Sequence, residues 1–155
     1  MTDQERRGKI LEGLKEAYWS EVETALNFIA HSTNLDGVRA EEIKQSLSAD
    51  VTEEIGHSQT LATRIKQLGG SVPGSMEFAP TQTSLQPVED TTDVVSSIKG
   101  VIDAENQAIA IYNRIIKLCD GFDYVTQDMC IAILADEEEH RTLFEGFLKE
   151  YERRS

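Results

Sequence analysis

Proline is missing from this sequence outside one window: its three copies, Pro73, Pro80 and Pro87, all fall between Ser71 and Asp90. Long unbroken helices are therefore open to the rest of the chain, because proline inside a helix removes a hydrogen bond and breaks it. Two cysteines, Cys119 and Cys130, are too few for a disulfide framework. They flank an expected turn and read as core thiols ahead of a redox pair or an additional metal contact. Basic side chains are scarce, with 15 Lys and Arg against 28 Asp and Glu and a net charge of -13. Such a surface lacks the clustered cations that phosphate binding needs, which excludes nucleic acid as a partner, and it attracts cations. No run approaches the roughly 20 apolar residues that would cross a bilayer. Residues Met1 to Lys9 are polar with no hydrophobic segment behind them, so no membrane partner or leader is expected and the cytoplasm is the default location.

What is present is helical periodicity. With 39% hydrophobic residues, the 155-residue chain has the makings of one domain, residues 1–155, with a real core. Four segments place residues on one face at alternating steps of three and four: about 3–32 (Leu11, Leu14, Tyr18, Glu21, Ala25, Phe28), about 39–68 (Leu47, Val51, Glu54, Ser58, Leu61, Ile65, Leu68), about 92–119 (Ile98, Ile102, Glu105, Ile109, Tyr112, Ile116) and about 124–153 (Cys130, Ile133, Glu137, His140, Phe144, Phe147, Tyr151). Gly69-Gly70 stops the second segment. The window 71–90 has no period and reads as a loop. A helix of about 30 residues is about 45 Å long, and roughly 20 extended residues span about 65 Å. The loop can thus run the length of a bundle and start the third helix parallel to the second. The expected fold is an all-α four-helix bundle with a long crossover between the second and third helices.

Each core stripe carries one glutamate where an apolar residue belongs: Glu21, Glu54, Glu105 and Glu137. His57 and His140 each follow a glutamate by three, and residues three apart share a helix face. The order Glu, then Glu-x-x-His, occurs twice, with 33 residues from Glu21 to Glu54 and 32 from Glu105 to Glu137. A buried carboxylate is costly unless paired or bound to metal, and four carboxylates with two imidazoles are the ligand set of di-iron and di-manganese carboxylate bundles. Carboxylate and imidazole suit iron, and manganese fits as well. Glu23 lies on another face. Glu41, Glu42, Glu53, Glu138 and Glu139 read as solvated positions or weak outer-surface cation sites, Asp50 as a neighbour of the ligands or a way in for metal, and His31 as a packing residue or a neighbour of the ligands ahead of a ligand. Trp19 and Tyr112 read as core residues near the centre ahead of electron donors to it.

These residues, with the run Asp123-Tyr124-Val125, Asp128-Met129, Leu134 and Asp136-Glu137-Glu138 in the last helix, resemble the ferritin-like di-iron superfamily and are most similar to bacterioferritin. The resemblance implies that Glu21, Glu54 and His57 serve one iron and Glu105, Glu137 and His140 the other, with Glu54 and Glu137 bridging. It implies a ferroxidase that oxidises Fe(II) with O2 or hydrogen peroxide, two iron ions per chain, a homo-oligomer (dimer or shell) and a role in iron storage and homeostasis. Bacterioferritin holds haem through a methionine directly after the second glutamate; here that residue is Ile55, so no haem is expected by that route. A tyrosine near the bacterioferritin centre is replaced by Phe28, and the short fifth helix of ferritin shells has no counterpart before Ser155. Two other readings remain: a rubrerythrin-like peroxidase drawing on an external reductant, as no Cys-x-x-Cys module is present, and a Dps-like protective shell, to which the acidic charge and a ligand set complete within one chain run counter.

Overall fold

Side-chain caps fix where the helices begin. In the computed structural model, which describes residues 1–153, helix α1 spans Asp3–Asn34. Thr2 and Glu5 form a reciprocal capping box at its start, each side chain accepting the other's backbone N–H. Helix α2 spans Glu41–Gln67 after a 3-10 turn at Val38–Ala40. Helix α3 spans Val94–Cys119 and starts two residues later than expected, because the Asp93 carboxylate accepts the Ser96 N–H and sets the first turn there. Helix α4 spans Tyr124–Arg153, with Asp123 accepting from Thr126 N–H at its start. Arg154 and Ser155, the end of the expected domain, lie outside the described residues. Gly69, at φ 85°, takes the left-handed conformation that ends α2.

Short turns make α1–α2 and α3–α4 antiparallel hairpins, and α1 and α3 close the bundle between them. The crossover runs up α1 in step with it. Gly70 sits against Leu11, Phe78 stacks on Trp19 at 4.8 Å, Thr81 meets Glu23, Leu85 meets His31, and Asp36 N–H donates to Thr91 O. This path delivers the chain to the far end of the bundle, so α3 runs parallel to α2, the topology expected from the loop's length. Leu85 inserts fully into the core. Its neighbour Ser84 approaches α3 so closely that a Cβ at Gly100 would lie 2.4 Å from the Ser84 carbonyl oxygen.

The interior is apolar at both ends and polar in the middle. One cluster gathers Ile10, Leu14, Leu61, Ile65, Ile111, Ile115 and Ile133; the other gathers Phe28, Leu35, Ile43, Leu47, Leu85, Ile98 and Phe144. Burying each such side chain contributes about 1.5–3 kcal/mol. These two clusters hold the helices together around a waist that contributes none of that stabilisation. No helix among the described residues is long and apolar enough to cross a membrane.

Candidate metal centre

The waist is where the six candidate ligands converge. Glu21, Glu54, Glu105 and Glu137, one from each helix, are each 1% exposed; His57 and His140 are nearly as buried. They form two overlapping groups, Glu21, Glu54, His57 and Glu137, and Glu54, Glu105, Glu137 and His140, with one ligand atom of each residue within 4.8 Å of the others. Glu54 and Glu137 belong to both. His57 Nδ1 lies 3.2 Å from Glu137 Oε1 and 3.5 Å from Glu21 Oε2. His140 Nδ1 lies 3.7 Å from Glu54 and Glu105 and 3.9 Å from Glu137 Oε2. Glu137 therefore turns one oxygen to each histidine.

Inside the waist these atoms have no hydrogen-bond donors or acceptors of their own. Glu21 Oε2, Glu54 Oε1, both oxygens of Glu105, Glu137 Oε1 and the Nδ1 atoms of His57 and His140 are buried without a partner. Native interiors seldom leave such groups unsatisfied, and several in one place point to an ion they share. Oxygen and imidazole donors around one centre fit a pair of divalent first-row cations. Without cations, protons take up the charge. Burial and the neighbouring carboxylates hold Glu54 well above the ordinary carboxylate range. Burial also raises Glu105 and Glu137. Burial pulls His57 and His140 down, but the carboxylates facing them prevail and lift the imidazoles to about 11 and about 10.

A second ring of side chains orients the first. Both histidines point Nδ1 inward and Nε2 outward. His57 Nε2–H donates to Asp136 of α4 at 2.9 Å, and His140 Nε2–H donates to Glu53 of α2 at 2.7 Å. The acid preceding the shared glutamate on one helix thus holds the histidine of the other, which fixes the tautomer and leaves the Nδ1 lone pair for a metal. Glu53 is not the freely solvated side chain expected from its position. The signal lay in the sequence as a repeated acid-Glu-x-x-His, Glu53 to His57 and Asp136 to His140. Tyr112, wholly buried, donates to Glu21 Oε1 at 2.5 Å.

The remaining candidates have other work. His31 donates from Nε2 to the Leu85 carbonyl and accepts at Nδ1 from Ser97, both at 2.9 Å; burial lowers its pKa, in keeping with a neutral ring. Glu23, away from the centre, is buried and receives the Thr81 and Gln82 backbone N–H groups and the Thr81 hydroxyl. Trp19 packs on the crossover and donates to Ala79 O, so it does not reach the centre. Asp50 lies beside His140. Glu41, Glu42, Glu138 and Glu139 are exposed. Ile55 is 40% exposed on the outer side of α2. Cys119 and Cys130 are fully buried and unbridged. Burial pushes their pKa values to about 11 and about 12, which keeps them as thiols rather than thiolates.

Fold and site together define a four-helix bundle of the carboxylate–histidine kind, with a crossover between its halves. The profile of the ferritin-like domain matches residues 11–154, and the chain belongs to that family. It is 30% identical to a DNA protection during starvation protein of Pyrococcus furiosus over 90% of this chain and 77% of that one. It is 25% identical to a bacterioferritin of Desulfovibrio desulfuricans over 92% and 76% of the respective lengths. Its fold matches the dodecameric thioferritin, a bacterioferritin-related protein, of Bacteroides fragilis, with a TM-score of 0.82 at 23% identity over 96% of this chain and 89% of the other. It also matches the Desulfovibrio desulfuricans bacterioferritin structure, with a TM-score of 0.81 at 22% identity over 99% and 85%.

Proposed function

We propose that this protein is a ferroxidase, oxidising Fe(II) to Fe(III) with O2 or hydrogen peroxide in iron storage and detoxification. The observation that carries the reading is the pair of overlapping ligand groups joined by Glu54 and Glu137, whose buried donor atoms have no other partners. Glu21, Glu54 and His57 would hold one cation and Glu105, Glu137 and His140 the other. A bound iron pair supplies the one-electron chemistry. The chain supplies the rest: four carboxylates that balance two divalent charges, two imidazoles aimed by Asp136 and Glu53, and burial of all six side chains. Residence in the cytoplasm and assembly into a homo-oligomer are part of the proposal, the latter supported by the dodecameric relative.

Anaerobic Fe(II) titration followed by O2, on samples sized by light scattering, tests it. We expect saturation near about two irons per chain with a fast oxidation phase, and continued uptake if the assembly stores iron. Glu54→Ala or Glu137→Ala should abolish the fast phase while the bundle stays folded; normal oxidation by either variant overturns the assignment.

A second reading has peroxide as the working oxidant in a protective role, which the name of the Pyrococcus furiosus relative favours. With a net charge of -13, that protection would come from removing Fe(II) and peroxide and not from covering nucleic acid. Faster turnover with hydrogen peroxide than with O2 in stopped flow would select it.

A further inference from the structure

Three arginines gather where the start of α1, the end of α2 and the turn before α4 come together, and two of them are fully engaged. Arg6 donates to the carbonyls of Leu118 and Asp120, which caps the end of α3. Arg64 donates to Thr126 Oγ1 at 2.8 Å, Gln67 Oε1 at 3.1 Å and Asp123 Oδ1 at 2.9 Å. Arg7 differs from both. Its guanidinium carbon lies 5.7 Å from the centre of the Phe122 ring, and among the described residues it has neither a hydrogen-bond acceptor nor an acidic partner.

Arg7 lines a cleft of about 380 Å³, at the small end of the roughly 300–1,000 Å³ that ligand pockets occupy. Ile10, Leu11, Leu68, Phe122 and Val125 give it apolar walls. Ile10 is fully buried in the apolar cluster that closes this end of the bundle, and Leu11, Leu68 and Phe122 pack on that cluster, so the walls are held from behind. The charged residues of the lining are Arg7, Arg64 and Asp123. Arg64 and Asp123 neutralise each other at 2.9 Å. The guanidinium of Arg7 is what remains, a positive charge beside an apolar cleft in a chain whose net charge is -13.

We infer that this cleft binds a small apolar monocarboxylate, with the hydrocarbon body against Leu11, Leu68 and Phe122 and the carboxylate on Arg7. A guanidinium offers paired donors in a plane that matches a carboxylate. The apolar walls supply the rest of the affinity by removing hydrocarbon from water. A dianion fits less well, because its second charge would meet Asp123. The cleft is separated from the waist by the apolar cluster, and the inference does not depend on the ferroxidase reading.

Calorimetric titration of the full-length protein in its own assembly state with hexanoate, heptanoate and octanoate, all below their micelle concentrations, tests this. Binding should saturate at one carboxylate per chain, and affinity should rise about fourfold per added methylene. 1-Octanol, of equal length and uncharged, should bind about tenfold more weakly than octanoate. Arg7→Gln should weaken octanoate about tenfold and leave 1-octanol unchanged. Val125→Glu, which sets a carboxylate on a wall residue that is 61% exposed, should also weaken octanoate. Circular dichroism of both variants should match the parent, since both positions are exposed. Absence of saturable octanoate binding, equal affinity for the acid and the alcohol, or unchanged octanoate affinity in Arg7→Gln would each overturn the site.

Discussion

Tyr112 of α3 donates its phenolic hydrogen to Glu21 Oε1 of α1 across the bundle interior at 2.5 Å, and the other oxygen of that carboxylate has no hydrogen-bond partner. The bond ties the ligand of one hairpin to the helix of the other.

Tyr112→Phe keeps the ring and removes the donor, leaving Glu21 with neither oxygen satisfied in the metal-free protein. The cost of such a loss is about 1–3 kcal/mol. Calorimetry of the metal-free variant should show a fall of several degrees in melting temperature. Loading with Co(II) should recover most of it, since a cation meets the same carboxylate. An unchanged metal-free melting temperature would show that the bond contributes nothing.

Asp136 and Glu53 hold the histidines from outside. Asp136→Asn and Glu53→Gln should each weaken cation binding about 10- to 100-fold with little change in melting temperature of the metal-free protein. Because each acid serves the histidine of the opposite helix, the Asp136 variant should weaken the position built on His57, and the Glu53 variant the one built on His140. Competitive titration against a chelator resolves the two affinities.

The metal-free protein should lose stability as pH rises, and the loaded protein should not. Glu54, Glu105 and Glu137 titrate above their ordinary range in the folded chain. His57 and His140 titrate at about 11 and about 10, against an unfolded value near 6.5. For all five the folded state binds more protons than the unfolded state between the two pKa values, so unfolding free energy declines with pH across that window. The histidine contribution is complete below about pH 6.5 and gone once pH has passed the folded values. Cations displace these protons. The gap between loaded and metal-free melting temperatures should therefore widen from pH 6 to pH 9, and a constant gap would contradict the assignment of protons to this centre.

Gly100→Ala should free the crossover. A methyl group there would meet the Ser84 carbonyl at 2.4 Å, and backbone cannot rotate out of the way as a side chain can. Leu85→Ala removes the fully buried anchor next to it, at about 2–5 kcal/mol. Limited proteolysis should cut both variants between α2 and α3 faster than the parent.

The bundle and all six residues at its waist could be read from the chain because their signals are local. A glutamate inside a three-four stripe announces itself without knowledge of any other helix. Residues whose partners lie on another element were harder to place. Glu53 looks solvated until α2 and α4 are set at their mutual rotation, when His140 meets its carboxylate. Glu23 lies off the stripe and is buried only because the crossover lays the Thr81 and Gln82 amides on it. Trp19, expected near the centre, is instead claimed by the same crossover through Phe78. On α3, Ile102 and Ile116 are only partly buried while Val101, Ala104, Ala108 and Ile115 are buried. A 3.5-residue count drifts from a 3.6-residue helix over such a length, and α3 is also covered by the crossover.

Glu54 and Glu137 each sit in both ligand groups, one lent by either hairpin. If each group holds one cation, as proposed, the filling of the two positions would not be a pair of independent events. In the proposed centre, a first cation would immobilise both shared carboxylates, so a second would find its ligands already ordered and would lose less conformational freedom on binding. By linkage the help is mutual and independent of the order of arrival. On the proposed ferroxidase reading the centre would hold cations by twos, which is the stoichiometry a two-electron acceptor would require of one-electron donors.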